Sequence, residues 1–362
     1  MLSRMFKMWG ALSYSFHKRL SPLFTIIGFL GLRWVNSLGL ALDHLFFPQV
    51  RKVTIRNPIV IVGNPRSGTT FLQRFLVDND FGTGMRLWKM LYPSLTIQTL
   101  LKPLLPLLER FSPAKHHASA AHKTSLTGIE TDDPALFFRY FDGFFAYGFF
   151  LAWAKEDLRE MFDPHIRDTS ERDFAYLEKM WIRNLISENK QRMIPKMFSL
   201  TVRIPQFLKK FPDAKILYMV RDPLSTVPSG MSLVTGVLDA RFGFWSLSEE
   251  HRKRYISRLY NGFLDLSLRF YKDYVGGNIP KDRVKVVTFD RLMHDFDTLM
   301  MEIVEFLDIT PSDELVETIK ETAEKQRNFK SKHKYDLQKF GLNEEQIRQD
   351  YAPIYETFLH SK

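Results

Sequence analysis

Two short stretches of this chain combine residue types suited to holding anions. In Gly63-Asn64-Pro65-Arg66-Ser67-Gly68-Thr69-Thr70, two glycines bracket a cation and hydroxyl groups follow. The apolar run Ile59-Val60-Ile61-Val62 precedes this segment, and Phe71, Leu72, Phe75 and Leu76 fall on one helical face behind it. A loop between a parallel strand's carboxyl end and a helix N-terminus offers backbone N–H groups and the positive end of a helix dipole, which together hold a phosphate-like anion. The second stretch is Arg221-Asp222-Pro223-Leu224-Ser225-Thr226-Val227-Pro228-Ser229, behind the β-rich run Ile216–Val220. Asp222 fits a helix N-cap and Pro223 the first helical residue, while Pro228 is expected to kink or shorten the helix. An arginine fork and a serine hydroxyl suit a phosphate clamp.

The first loop imitates the glycine spacing of the nucleotide-binding pattern G-x-x-x-x-G-K-[ST], with one difference. Thr69 stands where that pattern has the lysine that reaches the β and γ phosphates, and the cation, Arg66, comes earlier. A nucleoside triphosphate with magnesium wants the lysine; a donor with one phosphate bonded to a sulfuryl group needs only a compact anion cradle. Pro-Arg-Ser-Gly-Thr-Thr after a strand resembles the 5′-phosphosulfate loop of the sulfotransferase family. Arg221 through Ser229 is similar to that family's 3′-phosphate motif, and Phe211-Pro212-Asp213-Ala214 resembles the lead-in of its broad bacterial-type branch. The resemblance runs from Ile59 to about Phe340 in loose order and leaves the first fifty residues unaccounted for.

That resemblance implies a sulfotransferase taking its group from 3′-phosphoadenosine 5′-phosphosulfate (PAPS) by direct, metal-independent transfer to a hydroxyl or amine. By it, Arg66 contacts the bridging region and the transferring sulfuryl group, Ser67, Gly68, Thr69 and Thr70 hold the 5′-phosphate, and Arg221 and Ser229 hold the 3′-phosphate. The family's C-terminal basic segment has Lys330, Lys332, His333 and Lys334 as its local candidates, although the Arg-Lys-Gly string of cytosolic members is missing. A solvated basic loop is the alternative for these residues. In this branch an acidic cluster often lies between the two nucleotide motifs. Glu130-Thr131-Asp132-Asp133 looks like that cluster, with Glu130 as general base and His122 as the other candidate. An acid-rich helix start ahead of Pro134 would read the same. Lys196 stands where the family often has a basic residue able to stabilise sulfuryl oxygens, against the reading of a surface lysine. The aromatic run Phe137, Phe138, Tyr140, Phe141, Phe144, Phe145, Tyr147, Phe149 and Phe150 fits either core or an apolar acceptor pocket, the latter pointing to a lipophilic acceptor.

The elements needed to position these groups are strands alternating with helices. A third strand candidate, Val284 to Phe289, leads into a helix carrying Leu299, Met300, Ile303, Val304, Phe306 and Leu307. The pattern predicts an α/β, P-loop NTPase-like three-layer fold with a mostly parallel central sheet and a helical insertion. Residues 85–211 read as helices and loops rather than further sheet, the natural place for acceptor specificity. Residues 325–334 read as irregular, and Asn343 to Leu359 as helical again. The chain divides at about residue 55 into an apolar N-terminal segment and the domain of 56–362.

In that segment the apolar run Leu20–Leu32 is interrupted by Arg33, and a second run reaches Phe47. The first is too short to span a bilayer, and a longer span would bury Arg33. Peripheral membrane contact through residues 20–47 and a helical pair packed on the core both fit. A formal net charge of +10 favours anionic partners, but there is no zinc-finger spacing, RNA-recognition signature or sustained Lys/Arg tract, which ranks nucleic acid below a small phosphorylated ligand. The absence of cysteine removes disulfides and thiolate chemistry and fits a reducing, cytoplasmic compartment. His116, His117 and His122 near Glu130 and Asp132 match no metal-site spacing. Two rivals stay open: a P-loop phosphotransferase using a nucleoside triphosphate, and a membrane-associated nucleotide-binding protein without chemistry. Oligomeric state is not legible.

Overall fold

The computed structural model describes residues 2–17, 20–110, 125–328 and 336–359. Two helices, α1 (Leu2–Phe16) and α2 (Leu20–Phe46), precede the first strand. A parallel sheet then forms from β1 (Ile59–Gly63), β2 (Lys215–Val220) and β3 (Val284–Thr288), in that spatial order. Ile59 pairs with Lys215, and Ile216 with Val284. Every residue of β1 is buried, which is why it reads as an unbroken apolar run rather than an alternating one.

Each strand hands over to a helix at its carboxyl end. β1 leads to α3 (Thr69–Asp78); α4 (Leu95–Leu101), α5 (Asp133–Tyr140) and α6 (Ser170–Glu188) belong to the excursion before β2. β2 leads to α7 (Pro223–Phe242), which is followed by the long α8 (Glu249–Val275). β3 leads to α9 (Phe289–His294), α10 (Phe296–Phe306) and α11 (Asp313–Arg327). Strand residues alternate between two cores. Val60, Val62, Ile216, Tyr218 and Val220 join the larger one with α5, α6 and α8. Ile59, Ile61, Leu217, Met219 and Val287 face Leu72 and Leu76 of α3 and Leu299 and Ile303 of α10. Helices on both faces of a parallel sheet make the expected three-layer α/β arrangement.

Four local features depart from the sequence reading. The sheet continues past β1: the Ile59 and Ile61 amides donate to the carbonyls of Met193 and Pro195, and Ile61 bridges Lys196 in parallel. Thr83 in turn bridges Met193 in parallel. These stretches lack β-branched runs, so only their pairing reveals them. Second, α2 runs unbroken through Arg33, whose guanidinium donates to the Arg139 carbonyl at 3.3 Å instead of ending the helix. Third, α7 passes through Pro228 without shortening, one lost hydrogen bond being outweighed by burial of Thr226, Val227, Ser229 and Gly230 around it. Fourth, Lys325 and Arg327 are helical, at the end of α11.

At the carboxyl end of β1, Gly63 has φ 135°, and a Cβ there would lie 2.2 Å from the Met219 carbonyl oxygen. Only glycine lets β1 turn into the loop this close to β2.

Candidate active site

The loop between β1 and α3 is held from behind before it presents anything to solvent. The Asn64 side-chain amide donates to Ser267 Oγ at 2.8 Å and to the Phe263 carbonyl on α8. Ser67 Oγ donates back to the Asn64 carbonyl at 2.7 Å, so this buried serine closes the loop on itself. Gly68, at φ 94°, caps α3 and leaves the first-turn amides without intrahelical acceptors. Arg66 adopts φ 76°, a left-handed conformation uncommon for a side-chain-bearing residue and one found at ligand-holding loops.

The two anion-suited stretches meet here. Arg66 Nε donates to Ser229 Oγ at 2.9 Å, and Arg221 Nη1 donates to the Arg66 carbonyl at 3.0 Å. The Arg221 guanidinium also sits over the Phe289 ring, 3.9 Å from its centroid, at the start of α9. The carboxyl ends of β1, β2 and β3 therefore contribute one residue each to a single cluster. Asp222 caps α7 as expected: its Oδ1 accepts from the Leu224 amide at 2.9 Å and from the Tyr355 hydroxyl at 2.5 Å. A cleft of about 260 Å³ opens in front, lined by Arg66, Gly68, Thr69, Thr70 and Arg221 on one side and by Glu130, Thr131, Lys196 and Phe198 on the other.

The second wall is built by the acidic cluster, whose members have separate tasks. Asp133 accepts the Phe198 and Ser199 amides at 3.0 and 3.1 Å, and Asp132 accepts the Trp181 indole N–H at 2.9 Å and the Lys196 amide at 3.1 Å. Both aspartates thereby tie the start of α5 to residues 196–199. Burial raises the Asp132 carboxyl to about 7 against those hydrogen bonds, and raises that of Asp133 as well. Glu130, also buried, is left to line the cleft; its amide donates to the Met85 carbonyl at 2.9 Å.

Lys196 is not a surface lysine. It is 6% exposed, and its Nζ donates to Thr70 Oγ1 at 3.0 Å, linking the far wall to the first turn of α3. Burial lowers its ammonium to about 8, with the nearby Glu130 and Asp132 carboxylates opposing the fall. The paired stretch beside β1 puts it there, which the linear sequence conceals.

Of the sequence candidates, Arg66, Gly68, Thr69, Thr70, Glu130 and Arg221 line the cleft, Ser229 touches it through Arg66, and Ser67 points into its own loop. His122, Lys330 and Lys332 lie outside the described residues. The aromatic run belongs to the core: Phe137 packs on Phe29, Phe141 and Phe150, and Phe144 meets the cleft only by an edge-on contact with Phe198. Three lining residues were missed, Phe198, Leu233 and Phe289; the last follows the third strand directly, and that position was a usable signal.

A model of the sulfotransferase family matches residues 58–314. Over 212 residues the chain is 28% identical to omega-hydroxy-beta-dihydromenaquinone-9 sulfotransferase Stf3 of Mycobacterium bovis, a match covering 56% of this chain and 52% of that protein. The chain thus spans about half the length of the curated relative it matches. Among solved structures, sulfotransferase STF9 from Mycobacterium avium superposes with a TM-score of 0.68 at 18% identity, covering 89% of this chain and 81% of that one. Sulfotransferase STF1 from Mycobacterium tuberculosis gives 0.69 at 17% identity, covering 97% and 90%. These two likenesses establish a shared fold.

Proposed function

The chain belongs to the sulfotransferase family, and from that premise we propose that it moves a sulfuryl group from PAPS to a hydroxyl of a lipophilic acceptor. One observation carries the reading: Arg66 and Arg221, from two strand-to-helix junctions 155 residues apart, converge on one cleft. A donor with a 5′-phosphosulfate and a 3′-phosphate needs two anion sites a nucleotide's width apart, and two arginine-bearing junctions on adjacent parallel strands suit that need. Gly68, Thr69 and Thr70 would hold the 5′-phosphate through the open turn of α3, and Arg221 with Ser229 the 3′-phosphate.

Sulfuryl transfer, like phosphoryl transfer, asks for alignment and for charge neutralisation on the equatorial oxygens. Arg66 and Lys196 supply positive charge from opposite walls of the cleft. The Glu130 carboxylate takes the acceptor's proton as the new S–O bond forms; the donor's S–O bond breaks, and adenosine 3′,5′-bisphosphate leaves with its electron pair. The lipophilic acceptor is supported by the apolar N-terminal surface and by the acceptor class named for the mycobacterial relative Stf3. The cysteine-free composition agrees with a cytoplasmic site of action.

Thermal unfolding in the presence of adenosine 3′,5′-bisphosphate, compared with ATP plus magnesium, separates the donor class from a triphosphate-using rival. The bisphosphate should raise the midpoint and ATP-magnesium should not. Incubation with labelled PAPS and a cell lipid extract, followed by mass spectrometry, then tests transfer. Stabilisation by ATP-magnesium alone refutes the donor assignment, and bisphosphate binding without a sulfated product leaves a nucleotide-binding protein.

A further inference from the structure

Helix α2 is patterned inside out. Its one acid and its one asparagine face the protein: Asn36 donates to the Leu91 carbonyl at 2.7 Å, and Asp43, wholly buried, accepts from Arg183 Nε at 2.6 Å, while Ser21, Thr25 and His44 near the two ends are exposed. Gly39 sits flush against α4, where a Cβ would come within 2.5 Å of Ile97. The outer stripe instead carries Phe24, Ile27, Trp34, Val35, Leu38 and Leu45 at helical spacing, all exposed, Trp34 by 77% and Leu38 by 64%. No lysine, arginine, aspartate or glutamate is exposed anywhere on this helix. A soluble helix has the opposite distribution, and an apolar strip running the roughly 40 Å of a 27-residue helix far exceeds scattered surface hydrophobes. Phe6 on α1, which packs on α2, is exposed as well, as are Leu100 on α4 and Leu104 just past its end.

The charge around this strip is one-sided. Residues 1–56 hold eight Lys and Arg against the single acid Asp43, a surplus of seven out of the chain's formal +10. Asp43 is committed to Arg183, and Arg51, Lys52 and Arg56 stand exposed just past the end of α2. An uncharged apolar strip flanked by cations matches the acyl boundary and anionic headgroups of a bilayer surface.

We infer that this chain docks on an anionic membrane surface through the outer face of α2, with the helix lying in the plane of the interface rather than crossing it. By length and composition α2 is able to span. Spanning would strip it from the core and leave Asp43, Asn36 and Arg183 without their partners, at the cost of unpaired charge in hydrocarbon. The docked face also lies one helix from the cleft. Phe29 of α2 packs on Phe137, Phe138 and Phe141 at α5, whose start is tied to residues 196–199, so a membrane-dissolved acceptor would arrive next to Glu130. That last connection rests on the sulfuryl-transfer reading; the docking does not.

The test is co-sedimentation of the full chain with vesicles of phosphatidylcholine containing 30% phosphatidylglycerol, and with pure phosphatidylcholine, at low and high salt. Binding to the anionic vesicles should exceed that to the neutral ones, weaken with salt and be reversed by alkaline carbonate. Leu38→Glu and Trp34→Glu should each reduce the partition about tenfold or more, the factor set by one large apolar side chain, without moving the thermal midpoint. Should either variant misfold, wild-type tryptophan emission still reports: brominated lipid should quench it, and Trp34→Phe should remove that quenching. No vesicle binding, binding indifferent to these variants, or retention after carbonate extraction overturns in-plane docking, the last in favour of a spanning helix. Each result is independent of whether sulfate is transferred.

Discussion

Lys196 is the residue on which the reaction chemistry can be probed most directly. Its depressed ammonium, near 8, leaves it charged at neutral pH and neutral in mild alkali. If it offsets charge on the sulfuryl oxygens, the rate of adenosine 3′,5′-bisphosphate release should fall as pH rises through about 8, and Lys196→Arg should carry the alkaline limb to higher pH. Lys196→Met should lose roughly 100-fold in rate with the bisphosphate still bound, the scale of removing one preorganised donor to a developing anion. The alkaline loss cannot come from this group's effect on folding. Its folded value lies below the unfolded 10.5, so between those limits the unfolded chain binds the extra proton and this lysine's contribution to stability rises with pH. A rate flat from pH 7 to 9.5 removes Lys196 from the mechanism. Arg66, Arg221 and Ser229 were legible because each sits in a local motif that carries its own meaning. Lys196 was named by family position alone, with a surface lysine as the other reading, because its burial depends on pairing with β1 across more than a hundred residues.

At the level of elements, legibility followed the physical source of each signal. β1 and β2 are buried on both faces and so announce themselves as apolar runs, with Gly63 and Arg221 marking the ends where their loops begin; β3 is only partly buried and carries Lys285, but its three valines still give it a β-rich signature. The sheet's further pairings, at Thr83 and at Met193–Lys196, carry methionine, proline and lysine and have no such signature. In α2, Arg33 interrupts the apolar run in sequence yet not the helix, because its guanidinium reaches the Arg139 carbonyl, a partner 106 residues away that the local pattern does not display. The junction of β1 with its loop gives a clean test of how tightly the cradle is built. Gly63→Ala must adopt φ near 135° and push a methyl against the Met219 carbonyl, whereas Gly277→Ala, also at positive φ but at the milder 75°, stands in open space. Backbone strain alone costs about 1–3 kcal/mol at either site. Gly63→Ala should exceed Gly277→Ala by at least about 1 kcal/mol in urea denaturation and should also weaken adenosine 3′,5′-bisphosphate binding. Equal costs at the two positions would mean that β1 and β2 can separate there freely.

Across the whole molecule, the N-terminal helices and the sheet share one interior. Met5, Met8 and Leu12 of α1 and Ile26 of α2 belong to the same core as Val60 and Val62 of β1. Arg4 reinforces this by donating to the Tyr140 carbonyl at the end of α5. The sequence could not reveal the attachment, since its polar anchor, Asp43 with Arg183, joins residues 140 positions apart and neither sits in a motif. Asp43 also accepts the Leu95 and Thr96 amides at the start of α4, so one carboxylate fixes α2 to α4 and to α6 together. Burial alone would raise its titration; hydrogen bonds from Thr96, Arg183 and Ser94 outweigh that and hold it below the ordinary aspartate value. Its stabilisation is therefore present above pH about 4 and is lost as pH falls through the depressed folded value. Asp43→Ala should cost about 3–5 kcal/mol, because it leaves Arg183 charged and buried without its partner. Arg183→Ala should cost a comparable amount, but the double variant should fall short of the sum by roughly 1–3 kcal/mol, since neither half of the pair remains to be stranded. Urea denaturation of the four proteins at pH 7 measures this coupling. Strict additivity would show that the N-terminal helices ride on the core without that ion pair, and α2 would then be free to leave the protein when it meets a bilayer.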